Sequence, residues 1–147
     1  MSDHADLLRR AAKLIRETAQ AATEGPWKAH DTSLDYGGHT ATVLTKREAL
    51  TDTGLIGWLP TFSRQPWNDN TNAWADALHV ALWHPVVALA VAGWLESTAD
   101  LHEETHPDVR RVMGHGCQWC ADEDWPCADM RHAEAVARAV LGKEPAE

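Results

Sequence analysis

The chain has 147 residues, 22 of them acidic against 13 basic, for a formal net charge of −9. That length suits one domain around one core, and that charge disfavours general binding to nucleic-acid phosphates or anionic membranes. The three cysteines cannot pair evenly, which excludes a complete disulfide framework and favours a metal site or free thiols.

Leu7, Leu8, Ala11, Leu14, Ile15, Thr18, Ala19 and Ala22 recur at helical spacing, Ser2 or Asp3 can cap the start, and Gly25-Pro26 ends the segment, so a helix is predicted over 4–23. The period then changes. Trp27 to His30, Thr40 to Lys46 and Leu55 to Leu59 are short, Thr- and Val-rich or aromatic, and separated by turn residues such as Tyr36-Gly37-Gly38. They predict a small antiparallel sheet of two or three strands within 27–60. Pro60 to Thr71 has no period and reads as a loop. Helical character returns over 72–105, first to about Leu82, then from Pro85 at a first helical position to about Thr105. The first half of this second helix is apolar all round, which predicts a place in the middle of the core. Over 107–142 a segment poor in periodicity and rich in cysteine precedes a last helix, marked by Met130, Ala133, Val136, Ala137, Val140 and Leu141 and stopped by Gly142. The pattern is that of an α+β protein, read as a single domain over 1–147.

Membrane association is not expected. The longest apolar run, Val86 to Leu95, is broken by Gly93 and falls short of the ~20 residues of a spanning helix. Met1-Ser2-Asp3-His4 has neither a basic start nor an apolar stretch, so no secretory signal is expected and the predicted location is cytoplasmic. Eight tryptophans are read chiefly as large anchors for a small core, with a partner-binding surface as the other use of such side chains.

The run from His115 through Cys117, Cys120, Trp125 and Pro126 to Cys127 carries the clearest chemistry. In a Cys-x-x-Cys turn two thiolates converge closely enough to hold one tetrahedral ion at Zn–S distances of about 2.3 Å. Cys127, at a helix start, can supply a third, its thiolate favoured by the helix N-terminus. The fourth ligand has to be a histidine, and His102, His106, His115 and His132 are the candidates. His115 is strained for reach, and His132 requires Cys127 to lie outside the helix. The predicted cofactor is a structural zinc ion.

His102-Glu103-Glu104-Thr105-His106 also matches the His-Glu-x-x-His pattern of zinc peptidases, in which two imidazoles bind the ion and the glutamate activates water. Pro107 follows at once and disfavours helical geometry at His106, so the two rings need not share a face. There is no Gly-rich phosphate loop and no Gly-x-Ser-x-Gly elbow. His79 and His84 are read as core-edge or helix-capping residues.

Three stretches resemble known families. Leu7 to Trp27, ending Ala21-Ala22-Thr23-Glu24-Gly25-Pro26-Trp27, and later Asn72-Ala73 through His79-Val80-Ala81, resemble Ead-like accessory proteins of temperate phages. His79 to Pro85, continuing to Leu101-His102, with Cys117-x-x-Cys120 and Trp125-Pro126-Cys127, is similar to an uncharacterised family of actinobacterial and actinophage proteins. In that pattern a histidine falls where His102 stands, so the resemblance implies His102 as fourth ligand. The chain departs from the Ead-like pattern in carrying the cysteine knuckle. The resemblance implies a phage or prophage accessory role without an established activity. The expected function is therefore a non-enzymatic module that binds a protein partner and carries zinc on Cys117, Cys120, Cys127 and His102. The alternatives are a zinc-dependent hydrolase built on His102, Glu103 and His106, and a DNA-binding regulator using the knuckle.

Overall fold

The structure, a computed structural model, describes residues 3–35, 39–45, 54–59, 73–102, 116–120 and 124–142. Among these it has four helices and a three-stranded antiparallel sheet, an α+β protein. In chain order the elements are α1 (Asp3–Ala21), β1 (Trp27–Asp35), β2 (His39–Thr45), β3 (Leu55–Leu59), α2 (Ala73–Leu82), α3 (Pro85–Leu101) and α4 (Ala128–Val140). The loop expected over 60–71 lies outside the described residues. The chain groups into two compact units, Ala19–Ala88 and the combination of Met1–Thr18 with Leu89–Glu147, and the division passes through α1 and α3.

In the unit of residues 19–88 the sheet order is β1-β2-β3. Alternation along each strand decides the faces, since successive side chains point to opposite sides. Ala41, Val43 and Thr45 of β2 are buried, while Lys28 and His30 of β1 are exposed and Trp27 and Ala29 are partly buried. Trp27 pairs with Thr45 and Ala29 with Val43 in the β1–β2 register, so these inward residues line one face. Thr45 closes the return to β3: its amide donates to the Gly54 carbonyl at 2.9 Å, and the Gly54 amide donates to Thr45 Oγ1 at 2.9 Å. Helix α2 buries Ala73, Ala77 and Ala81, spaced four apart on one stripe. Ala77 and Ala81 pack with Ala41 and Val43, flanked by Trp27, Ala29, Ile56 and Leu59. After α2 the His84 carbonyl accepts from Val87 at 3.0 Å and Ala88 at 3.2 Å, so His84 caps α3 and Pro85 begins it, where its missing N–H costs nothing.

The other unit collects its core from three helices. Leu8, Ala11 and Ala12 of α1, Ala92, Leu95 and Ala99 of α3, and Met130, Ala133 and Ala137 of α4 form one buried cluster, which includes Cys117 and Cys127. Leu8, Leu95 and Met130 are its largest fully buried side chains. Ion pairs ring this core. Arg16 holds Glu96 with two guanidinium nitrogens, one at 2.7 Å from Oε2, Arg9 reaches Asp100 at 2.8 Å, and His4 pairs with Glu134. The Glu96 carboxyl is held below the usual carboxylate range, chiefly by its hydrogen bond from Arg16. Leu141 ends α4 and Gly142 follows at φ 63, the left-handed conformation that glycine adopts without steric cost.

Three expectations about packing are corrected. Helix α3 is not enclosed on all sides: it buries the stripe Ala92, Leu95, Thr98 and Ala99, whereas Val86, Leu89 and Trp94 are exposed. Among the described tryptophans only Trp27 and Trp125 pack against a core. Trp58, Trp74, Trp83, Trp94 and Trp119 are exposed, and Trp27 and Trp125 are half-buried, so none of the seven described indoles is buried. Leu14, expected on the inward stripe of α1, is exposed as well. In the sheet unit the inward positions are taken by Ala77 and Ala81 of α2 and by Ala41 and Val43 of β2, and the large side chains of α2 fall on its other face.

Candidate metal centre

The end of α3, the Cys-x-x-Cys turn and the start of α4 meet at four side chains. Helix α3 ends at Leu101, but the His102 amide still donates to the Thr98 carbonyl at 3.0 Å. His102 thus hangs from the last helical turn, with its side chain buried. Residues 118–120 form a turn that carries Cys117 at one end, buried, and Cys120 at the other, exposed. Cys127 stands at the N-cap of α4 with extended dihedrals, φ −65 and ψ 170, and is buried.

The sulfurs of Cys117, Cys120 and Cys127 and a ring nitrogen of His102 all lie within 4.8 Å of one another. His102 Nδ1 is 3.2 Å from Cys127 Sγ and 3.5 Å from Cys117 Sγ. A tetrahedral ion bound to sulfur at about 2.3 Å sets its sulfur ligands about 3.8 Å apart, with imidazole nitrogen slightly nearer. The two nitrogen–sulfur separations suit such a site, and the donor set of three thiols and one imidazole could hold a metal ion.

Its electrostatics match that capacity. The Cys117 thiol feels burial, which pushes its pKa up, but the backbone amides of Cys120 and Trp119 and the thiols of Cys120 and Cys127 outweigh burial, and it is lowered. Cys127 goes the other way. Burial, aided by the Cys120 and Cys117 sulfurs and the charge on Cys117, pushes it up to about 12 against the pull of the Met130 amide. Without a cation, Cys117 and Cys127 therefore resist carrying negative charge together. A bound dication would relieve that conflict, because metal binding takes cysteines as thiolates and releases their protons.

Of the four histidines considered as fourth ligand, the structure brings His102 to the sulfurs. His132 is exposed on α4 and is not among the four clustered residues. His106 and His115 lie outside the described residues, as does the His102-Glu103-x-x-His106 pattern beyond its first member. His84 takes the capping position expected of it, and His79 lies against Trp83 at a ring separation of 6.4 Å. One neighbour escaped the sequence reading. Asp129, two residues after Cys127, places Oδ2 3.8 Å from His102 Nε2, and its offset from Cys127 was the available signal. Among the described residues no single helix is long and apolar enough to cross a membrane. No family model, curated protein or solved structure matches the chain.

Proposed function

We propose that this chain is a non-enzymatic accessory protein of phage or prophage type, which binds a protein partner and is held together in part by a structural zinc ion. The observation that carries the zinc reading is the convergence of four protein donors within 4.8 Å. Four protein ligands close a tetrahedron, whereas a catalytic zinc keeps a position for water. Soft thiolates select zinc over magnesium or calcium, which take oxygen ligands. His102, the first histidine of the peptidase-like pattern, points Nδ1 at two of the sulfurs, which argues against a hydrolase built on it.

The partner reading is supported by the five exposed indoles and by the charge of −9. Aromatic side chains are enriched where proteins meet, and a net acidic surface suits a protein better than a phosphate backbone. The phage origin rests on the motif resemblances alone. Protein purified without chelator should carry about one zinc per chain by elemental analysis, because three thiolates and an imidazole bind tightly enough to survive purification. Well under half an equivalent sinks the zinc site. For the partner, the tagged chain should capture a defined protein from an actinobacterial lysate, and Trp74→Ala or Trp83→Ala should release it. Equal capture by both variants removes these indoles from the interface.

A further inference from the structure

His102 offers its two ring nitrogens to different neighbours. Nδ1 faces the sulfurs of Cys127 and Cys117, at 3.2 and 3.5 Å. Nε2 faces the other way and lies 3.8 Å from Asp129 Oδ2. We propose that Asp129 is a positioning residue of the metal centre: its carboxylate accepts the Nε2–H of His102 and so holds the ring with Nδ1 toward the ion. This rests on the zinc reading given above.

The chemistry of a bound imidazole requires such a partner. A nitrogen that gives its lone pair to a metal leaves the ring proton on the other nitrogen, and in a ring only 6% exposed that N–H needs an acceptor. A carboxylate is the strongest acceptor a protein has, and carboxylates in this role orient the ring and raise its basicity. Three thiolates around a dication leave the centre at −1, which by itself repels a further carboxylate. The Nε2–H is the donor through which a carboxylate there can be held by a hydrogen bond. The placement is built into the chain, because Cys127 at the N-cap of α4 and Asp129 in its first turn are set by the same backbone. At 3.8 Å the pair is a small side-chain shift, or one bridging water, from a hydrogen bond, and the Asp129 side chain, 66% exposed, has room to make it.

Asp129 also sits where a negative charge stabilises a helix N-terminus, so melting temperature does not separate the two roles. Zinc competition does. Full-length parent, Asp129→Asn and Asp129→Glu are titrated with a chromogenic zinc chelator, and the histidine ring nitrogens of the zinc-loaded proteins are read by 15N NMR. Asp129→Asn should weaken zinc retention about tenfold, and Asp129→Glu, which restores the carboxylate, should recover most of that loss. In the parent the His102 proton should sit on Nε2 and exchange slowly with solvent, and in Asp129→Asn it should exchange faster. Zinc retention by Asp129→Asn within twofold of the parent, or equal loss in both variants, overturns the proposal while leaving the metal centre standing. A parent that takes up no zinc overturns both.

Discussion

The two units of this chain solve the problem of a small core in opposite ways. The unit built on α1, α3 and α4 fully buries Leu8, Leu95 and Met130 and adds a cluster of four side chains that could hold a metal ion, two of them in the same core. The sheet unit packs alanines, with Val43 as its largest completely buried side chain, and leaves Trp58, Trp74, Leu78, Leu82 and Trp83 exposed. Small domains that cannot bury enough apolar surface are commonly held by a metal, and the first unit has the donors for one. Although the first unit also exposes Leu14, Leu89, Trp94, Leu101 and Trp119, it keeps Leu8, Leu95 and Met130 inside, whereas the second fully buries no side chain larger than Val43. Its exposed surface therefore asks for a functional explanation, while the cluster in the first unit asks for a structural one.

The sharpest break in this comparison is metal removal. A strong chelator should loosen the Cys117–Cys120 turn and α4, whose start carries Cys127, and should lower stability more than any single substitution discussed below. Apparent binding energies at structural zinc sites reach roughly 10–16 kcal/mol in peptides that fold only with metal. Hydrogen exchange should then rise in residues 128–140 while protection in β2 changes little. Equal loss in both segments would mean that the metal does not act on one unit preferentially.

Core truncation comes next. Leu95→Ala removes a side chain with no exposed surface and should cost about 2–5 kcal/mol, the range for leucine-to-alanine cavities. Denaturant titration checks this, and a cost below about 1 kcal/mol would show that the site collapses around the gap.

A smaller effect distinguishes the histidines. His102→Ala deletes a buried donor and leaves three thiolates to recruit water, whereas His132→Ala alters an exposed side chain on α4. The first should cost about 1–3 kcal/mol, or roughly 3 to 4 °C in melting temperature for each kcal/mol at this chain length, and should lower zinc retention. The second should change neither, and a reversal of the two would move the fourth ligand to α4.

Much of this was legible in the sequence, for reasons that can be located. The 3.6-residue period of Leu7, Leu8 and Ala11 and the alternation around Val43 are local, so α1, β2 and β3 could be anticipated within a few residues of their observed ends, whereas β1 runs five residues past the expected His30 to Asp35. The thiol pair Cys117 and Cys120 was legible for the same reason, since the turn that joins them spans four residues. Spacing alone left four histidines in play for the fourth donor, and His102 was singled out only by the motif resemblance, because its approach to Cys127 across 25 positions belongs to tertiary structure. The outward tryptophans escaped because hydrophobicity alone does not say which face of an element is buried, and on α2 the inward face is the one carrying Ala77 and Ala81.

The smallest stability effect carries the most functional information. Trp74 is 43% exposed and lies with Trp27, Lys28, Leu78, Leu82 and Val87 along an open groove of about 510 Å³ in the sheet unit. On the same helix the buried stripe is Ala73, Ala77 and Ala81, so truncating Trp74 leaves that stripe in place. Trp74→Ala should therefore change stability by no more than about 0.5 kcal/mol, as surface substitutions do, whereas Ala77→Trp, which drives an indole into the contact with Ala41 and Val43, should cost at least 1–3 kcal/mol. An indole that supports the fold would show the opposite order. If Trp74→Ala keeps the melting temperature of the parent but loses a partner that the parent retains, the indole serves binding, and the division of labour between the two units holds at the level of a single side chain.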